Sequence, residues 1–193
     1  MRYRDDRTMK EPALGIIEYK SVAKGIYSCD IMAKKAPIKI IGTHPICPGK
    51  YLTIICGEVA DVEESMKAGI ESGKDMVVSD LFLPYVHRSI LPAIAGTTKI
   101  DRFGAIGIIE TFAVATCVLA ADIAAKATPI QLVEVRLANG LGGKAYFVMT
   151  GGLADVEDSL EAAKNYAKKE GMLAACELIP SPHPDLIEKG VYW

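Results

Sequence analysis

The chain has 193 residues, half of them hydrophobic and 24% charged, so it has apolar material for one large core or two small ones. Its net charge of -2 and its pI near 6.0 provide no basic excess, which excludes nucleic acid as the main partner. No window approaches the roughly 20 apolar residues of a membrane span, and the charged residues 1–12 do not resemble a secretory signal. We therefore expect a cytoplasmic protein with a polar N-terminal tail over residues 1–12 and no membrane partner.

The first predicted strand is the short apolar run of residues 14–19. Ser21 is a predicted N-cap for the helix that follows, and Pro37 ends this helix because proline cannot continue it. Apolar residues at steps of three and four predict the buried face of the helix. They are Val22, Ile26, Cys29, Ala33 and Ala36.

Two β-rich runs, residues 38–43 and 51–56, come next and are separated by the short connection 45–49. After Gly57 a second helix begins, with acidic residues predicted in its first turn, where the helix dipole favours negative charge. These are Asp61, Glu63 and Glu64. Its predicted buried face consists of Val62, Met66, Gly69 and Gly73. With a fourth strand over residues 76–83, the order β-α-β-β-α-β predicts an α+β fold of the ferredoxin-like kind.

Almost the whole pattern is present twice. At an offset of 92, residues 14–38 are identical to residues 106–130 at twelve of 25 positions. A period of about ninety residues is too long for one unit of a solenoid. We therefore predict two tandem ferredoxin-like domains, spanning 13–97 and 104–193 and joined near residues 95–101.

Several separated motifs agree between the copies and point to a known family. Ala13-Leu-Gly-Ile-Ile-Glu18 and Ala105-Ile-Gly-Ile-Ile-Glu110 begin the copies, and their first helices end in Lys34 and Lys126. Together with Ile179-Pro-Ser-Pro-His183, these motifs resemble the shell domain of bacterial microcompartments. The resemblance implies a tandem shell protein in which each chain supplies two of the six wedges of a hexagonal tile, so that three chains form a pseudohexamer.

The resemblance also implies a structural function. It implies a homotrimer in the microcompartment shell, contacts with other shell proteins, and no enzymatic activity. Lys34 and Lys126 align with the family's edge lysine, which packs against a neighbouring tile; a solvated lysine near the negative end of a helix is the alternative. Many members carry arginine between the prolines of the fourth-strand motif, where this chain has Tyr85 and Ser181. Contacts made by that arginine are therefore not expected here.

In this family the connection between the second and third strands lines a pore at the centre of the tile. The two copies differ at this place, so the resemblance implies two kinds of pore-lining loop. The first copy offers Ile46, Cys47, Pro48 and Gly49. The second offers the glycine-rich run Asn139, Gly140, Leu141 and Gly142. Glycine permits close approach of backbone amides to a passing solute.

Cys47 carries the most specific hypothesis. One cysteine holds little, but threefold symmetry would bring three thiolates around one axis, and thiolates are the usual ligands of iron-sulfur clusters. The run Ile46-Cys-Pro-Gly-Lys50 resembles the iron-sulfur-bearing tandem shell protein of propanediol-utilising compartments. This implies one [4Fe-4S] cluster per trimer, bound by Cys47, for electron transfer or for cluster delivery to enclosed redox enzymes. An empty pore with a reactive thiol, or another metal such as zinc with His44 as a ligand, is the alternative.

The remaining candidates favour structural roles. Glu18 and Glu110 lie at equivalent strand ends, which favours a repeated structural role over an acid–base pair. The other cysteines are expected to be small buried hydrophobes; they are Cys29, Cys56, Cys117 and Cys176. Their odd total with Cys47 and the lack of C-x-x-C spacing argue against a disulfide scaffold. Two other functions stay open: a shell subunit with a plain or gated metabolite pore, and a soluble trimeric sensor that binds a small ligand between subunits.

Overall fold

The structure, a computed structural model, describes residues 12–190. Apart from Pro12, the predicted polar tail over residues 1–12 lies outside these residues. The chain divides into two compact units between Arg88 and Ser89. Among the described helices, none combines the length and the apolar character needed to cross a bilayer.

The first unit contains one antiparallel four-stranded sheet, two α-helices and a short 3-10 helix at Lys74–Met76. Its elements are β1 Ala13–Tyr19, α1 Val22–Lys35, β2 Lys39–Ile46, β3 Lys50–Gly57, α2 Val59–Gly73 and β4 Val77–Leu83. The strand order is β2-β3-β1-β4. This is the β-α-β-β-α-β connectivity of a ferredoxin-like domain, so the predicted fold class is confirmed.

The second unit repeats this arrangement and adds two short helices. Its elements are α3 Ile90–Ile94, β5 Ala105–Thr111, α4 Val114–Ala127, β6 Gln131–Leu137, β7 Ala145–Gly151, α5 Leu153–Lys169, β8 Leu173–Ile179 and α6 Pro184–Gly190. The strand order β6-β7-β5-β8 is equivalent to that of the first unit. Neither α3 nor α6 was predicted. The first domain was predicted to extend to residue 97, whereas α3 contacts β6 and α4 and is grouped with the second unit.

The helix ends follow local chemistry. The Ser21 side chain accepts a hydrogen bond from the Lys24 amide at 3.3 Å, which confirms the predicted N-cap of α1.

In α2 only Asp61 occupies the first turn, so the prediction for Glu63 and Glu64 was wrong. The helix begins at Val59, and both glutamates lie one turn further on, where they form ion pairs with Lys67. The predicted buried face of α2 is confirmed.

The predicted buried face of α1 was largely wrong. The buried residues are Gly25, Ser28, Cys29 and Met32, whereas Val22, Ile26 and Ala33 are exposed and Ala36 is half-buried. The reason is close packing on β3: a Cβ atom added at Gly25 would lie 2.4 Å from Cδ1 of Tyr51. Only small side chains allow this approach, so apolar periodicity alone does not identify the contact.

α4 occupies the equivalent place in the second unit and is buried more completely. Nine of its residues are buried, compared with four in α1. Val118, which is equivalent to Ile26, is fully buried, whereas Ile26 is 54% exposed. On the helix, Cys117 replaces Gly25, and on the strand, Ala145 replaces Tyr51. In this copy the larger of the two side chains therefore lies on the helix.

Candidate functional site

Cys47 lies at the tip of the β2–β3 hairpin. β2 ends at Ile46, β3 begins at Lys50, and these two residues are paired, so the connection consists of only Cys47, Pro48 and Gly49. Gly49 has a φ of +70°, a left-handed conformation that favours glycine. The connection is shorter than predicted because Pro45 belongs to the ladder, which proline tolerates on an edge strand such as β2.

The tip of the hairpin is open to solvent, as are Thr43 and Pro45 on β2. Pro48 and Gly49 are exposed and Cys47 is half-buried. Ile46 was predicted to line the pore, but it is only 4% exposed in the chain. A group outside the chain therefore has direct access to residues 47–49 and not to Ile46.

Two side chains at the base of this hairpin contact the rest of the unit. The ammonium group of Lys50 donates to Oε2 of Glu18 at 3.1 Å, and Glu18 is only 3% exposed. Next along β3, the hydroxyl of Tyr51 accepts from Oγ1 of Thr43 at 2.9 Å, and its ring packs against Gly25. Successive residues of a strand point to opposite faces of the sheet. The hairpin is thus anchored on both faces.

The equivalent connection in the second unit is longer and rich in left-handed residues. Residues 138–144 join β6 to β7, and four of these residues have positive φ: Ala138, Gly140, Gly142 and Gly143. A Cβ atom added at Gly140 or Gly142 would meet nothing within 4 Å, so these glycines are required by backbone conformation and not by space. Asn139 is exposed along with both glycines, and Leu141 is half-buried. This exposure fits the predicted accessibility of the loop, and its pore-lining role stays a prediction.

Ion pairs also hold this second loop. Lys144 Nζ lies 2.6 Å from Oε1 of Glu110, the counterpart of the pair in the first unit. The repeated structural role predicted for Glu18 and Glu110 is therefore confirmed. Arg136 also pairs with Glu134, whose Oε2 accepts from the hydroxyl of Tyr146 at 3.3 Å. Burial, and then the Glu134 carboxylate, raise the pKa of Tyr146.

The other cysteines differ from Cys47 in their surroundings. Cys29, Cys56 and Cys117 are buried as predicted, whereas Cys176 is half-buried because β8 is an edge strand of its sheet. Burial raises the pKa of Cys56 and Cys176 and raises that of Cys117 to about 12. Burial thus disfavours the thiolate form of these three groups, which is the form that binds metals.

Cys47 is one ligand and not a complete metal site within one chain. Across residues 12–190, no three His, Cys, Asp or Glu side chains converge as a group that could hold a metal ion. His44 stays on β2 and is half-buried, and burial lowers its pKa. Its neutral form is therefore favoured at neutral pH.

Lys34 and Lys126 occupy equivalent positions in α1 and α4. Each forms an ion pair at 2.6 Å with the aspartate one turn before it, Asp30 in α1 and Asp122 in α4. The Asp30 side chain is 57% exposed and that of Asp122 only 4%. The predicted contacts of both lysines with neighbouring tiles stay predictions.

Comparison with known proteins identifies the family. The BMC domain matches residues 13–86 and again residues 105–182, so that most of each unit is covered. The chain therefore belongs to the BMC-domain family and is a bacterial microcompartment shell protein with two tandem domains. This confirms the resemblance found in the sequence and the predicted location in a microcompartment shell.

Particular relatives support the tandem arrangement. The chain is 41% identical to the bacterial microcompartment shell protein PduT of Citrobacter freundii, over 90% of this chain and 95% of that protein. It is 28% identical to the carboxysome assembly protein CcmO of Synechococcus elongatus, over 91% of this chain and 67% of that protein. A crystal structure of a microcompartment protein from Desulfitobacterium hafniense superposes with a TM-score of 0.89 at 42% identity, covering 92% of this chain and 99% of the other.

Proposed function

We propose that the chain is a structural shell subunit that assembles as a homotrimer and binds one [4Fe-4S] cluster through three copies of Cys47 on the threefold axis. The observation that carries this proposal is the placement of Cys47 at the accessible tip of a three-residue hairpin. In the tile of this family, as the resemblance implies, that tip faces the central pore.

The difference between α1 and α4 supports the trimer. Val22 and Ile26 of α1 are exposed, whereas their counterparts Val114 and Val118 in α4 are at most 1% exposed within one chain. An apolar surface that is covered in one copy and open in the other is suited to a second chain. Repetition of such a head-to-tail contact gives a closed ring when the rotation between neighbours divides the full circle, as a rotation of one third does. Three chains would provide the six domains of a hexagonal tile.

The chemistry of the thiol supports the cluster. Iron-sulfur clusters take thiolate ligands, and Cys47 is the one described cysteine that lies in a connection and not on a helix or strand. Pro48 fixes its own φ and Gly49 supplies the left-handed turn, so the tip is held by local geometry. Each chain would contribute one sulfur at the same height along the axis.

A bound cluster would supply one-electron transfer, and the chain's own residues would set its place. Cys47 would bind iron, leaving one iron of the four without a protein thiolate. The glycine-rich loop of the second copy would line the remainder of the pore. The subunit would then pass electrons across the shell, or deliver a cluster to enclosed redox enzymes, without catalysing a reaction itself.

The test is anaerobic reconstitution with iron and sulfide. The wild-type protein should become brown and contain roughly one cluster per three chains, and Cys47→Ser should remain colourless. Cys176→Ser is the matched control, because it removes another partly accessible thiol, and it should bind as much iron as the wild type. A colourless wild-type protein, or a Cys47→Ser variant with full iron content, would contradict the proposal.

A shell subunit with a plain or gated metabolite pore is the second candidate. The exposed residues Asn139, Gly140 and Gly142 of the second loop favour it, because glycine-rich backbone can contact a passing solute without any metal. Iron-free trimers that still form sheets under the electron microscope would support this candidate over the cluster. Variants of Lys34 and Lys126 that form trimers but no sheets would support their contacts with other shell proteins.

A further inference from the structure

We infer that the Glu18–Lys50 ion pair is the positioning element of the Cys47 hairpin and also keeps a positive charge within three residues of each sulfur. This inference rests on the proposed function for its second half only. The first half concerns the chain itself and is testable without any metal.

The hairpin tip needs such an element because it extends beyond the central strand. The antiparallel register of β1 with β3 ends where Tyr19 pairs with Tyr51. Residues 46–50 lie past that point and are paired only with each other, at Ile46 and Lys50. β2 is an edge strand, and within residues 12–190 no further strand pairs with its other side. Side chains must therefore fix its direction.

The ion pair is suited to this task because one of its partners, Glu18, is buried. Glu18 lies on β1 between β3 and β4 and is 3% exposed, so its carboxylate cannot change position freely. A buried carboxylate without a partner is costly, which favours a single conformation of Lys50. Lys50 is the first residue after the tip. Its ammonium thus ties the end of the hairpin to the centre of the sheet.

The second copy contains the matching pair in a different setting. Glu110 and Lys144 are also within ion-pair distance, but their side chains are 29% and 42% exposed. Lys144 is the last residue of a seven-residue loop that already has its own turn hydrogen bond, from the Lys144 amide to the Leu141 carbonyl at 3.1 Å. The second pair therefore has less influence on its loop, which makes Glu110→Gln the control for Glu18→Gln.

The charge of Lys50 has a further consequence at the proposed cluster. Lys50 follows Cys47 by three residues, so three ammonium groups would surround the axis together with three sulfurs. Positive charge favours the reduced, more negative state of a cluster and raises its reduction potential. Loss of the lysine charge should lower the potential, and loss of the Glu18 charge should raise it. A purely structural role would move both variants in the same direction.

The first test measures amide hydrogen exchange of the metal-free protein. In Glu18→Gln, the peptide covering residues 44–52 should exchange roughly threefold faster or more, because the tip loses its attachment. Glu110→Gln should leave this peptide unchanged. Equal exchange of this peptide in wild type and Glu18→Gln would overturn the positioning role. If Glu18→Gln does not fold, Lys50→Gln tests the same attachment from its exposed side, and Lys50→Arg should restore slow exchange.

The second test measures the reduction potential of the reconstituted trimer. Lys50→Gln should have a lower midpoint than the wild type and Glu18→Gln a higher one. Shifts of the same sign would reject the electrostatic half. If no variant and no wild-type protein binds a cluster, the proposed function fails, while the exchange experiment still decides the positioning role.

Discussion

α1 and α4 occupy equivalent places in the two repeats, but they differ in how much of each helix surface is buried. α4 is buried on nearly every side, whereas α1 keeps Val22 and Ile26 exposed beside a core face made of glycine, serine, cysteine and methionine. The comparison teaches that a helix in a tandem protein has two apolar surfaces with different purposes. One packs within its own unit, and the other, exposed in α1, is the surface proposed to meet a second chain.

The two hairpin connections show a second kind of divergence. The first is three residues long and contains a cysteine. The second is seven residues long and contains three glycines and no cysteine. A ring of six identical domains would place six thiols around the pore. In the proposed trimer only the first copy of each chain carries Cys47, so three thiols would surround the pore. Three thiols would match a cluster that leaves one iron free of protein sulfur.

The largest effect is expected from charging the open face of α1. Ile26→Asp should leave the chain folded, because Ile26 is already 54% exposed in the isolated chain. In the proposed trimer the new carboxylate would be buried without a partner, which costs about 3–5 kcal/mol and weakens each contact by a factor between about 10² and about 4 × 10³. Analytical ultracentrifugation should therefore find monomers.

Ile70→Asp is the control for this variant. Ile70 lies on α2 and is also an exposed apolar side chain, but it is not on the α1 face. This variant should remain trimeric. If Ile26→Asp sediments as a trimer, the comparison of α1 with α4 does not identify the contact between chains.

A smaller effect is expected from the helix–strand contact that differs between the copies. Gly25→Ala places a methyl group against Tyr51 and should lower the free energy of unfolding by about 1–3 kcal/mol. The second copy combines a larger helix residue, Cys117, with a smaller strand residue, Ala145. In a Tyr51→Ala background the same substitution should therefore cost at least ~1 kcal/mol less.

Urea unfolding followed by circular dichroism measures both costs. Tyr51→Ala alone will be destabilised by its cavity, so the relevant quantity is the difference between the two Gly25→Ala effects. An equal cost in both backgrounds would mean that Tyr51 does not determine the size of residue 25.

Much of the fold follows from the sequence alone. The internal repeat, the strand and helix order and the Ser21 cap all depend on local patterns, and the structure contains them. The buried face of α1 could not be predicted, because Val22 and Ile26 have the apolar spacing of core residues although both are exposed in the chain. Gly25 and Ser28 are buried on the packed face of the helix, but an apolar pattern cannot identify them because neither has a large apolar side chain.

The site was predictable in part. Proline and glycine around Cys47 indicate a turn, and the structure has one, but nothing local indicated that Pro45 would pair with Tyr51 inside the ladder. The Glu18–Lys50 pair joins residues that are 32 positions apart. In the sequence, the pair is indicated only by the repetition of both residues in the second copy, as Glu110 and Lys144. Recognising that they form a pair also requires the register of β1 with β3.

The most direct test of the central claim uses mixed trimers of wild-type and tagged Cys47→Ser chains, reconstituted anaerobically and weighed intact by native mass spectrometry. If three sulfurs hold one cluster, only trimers without a variant chain should carry the mass of four irons and four sulfides. At equal mixing, cluster content should then fall to about one eighth of the full value. A cluster content that falls only to one half, in proportion to the wild-type chains, would contradict the account.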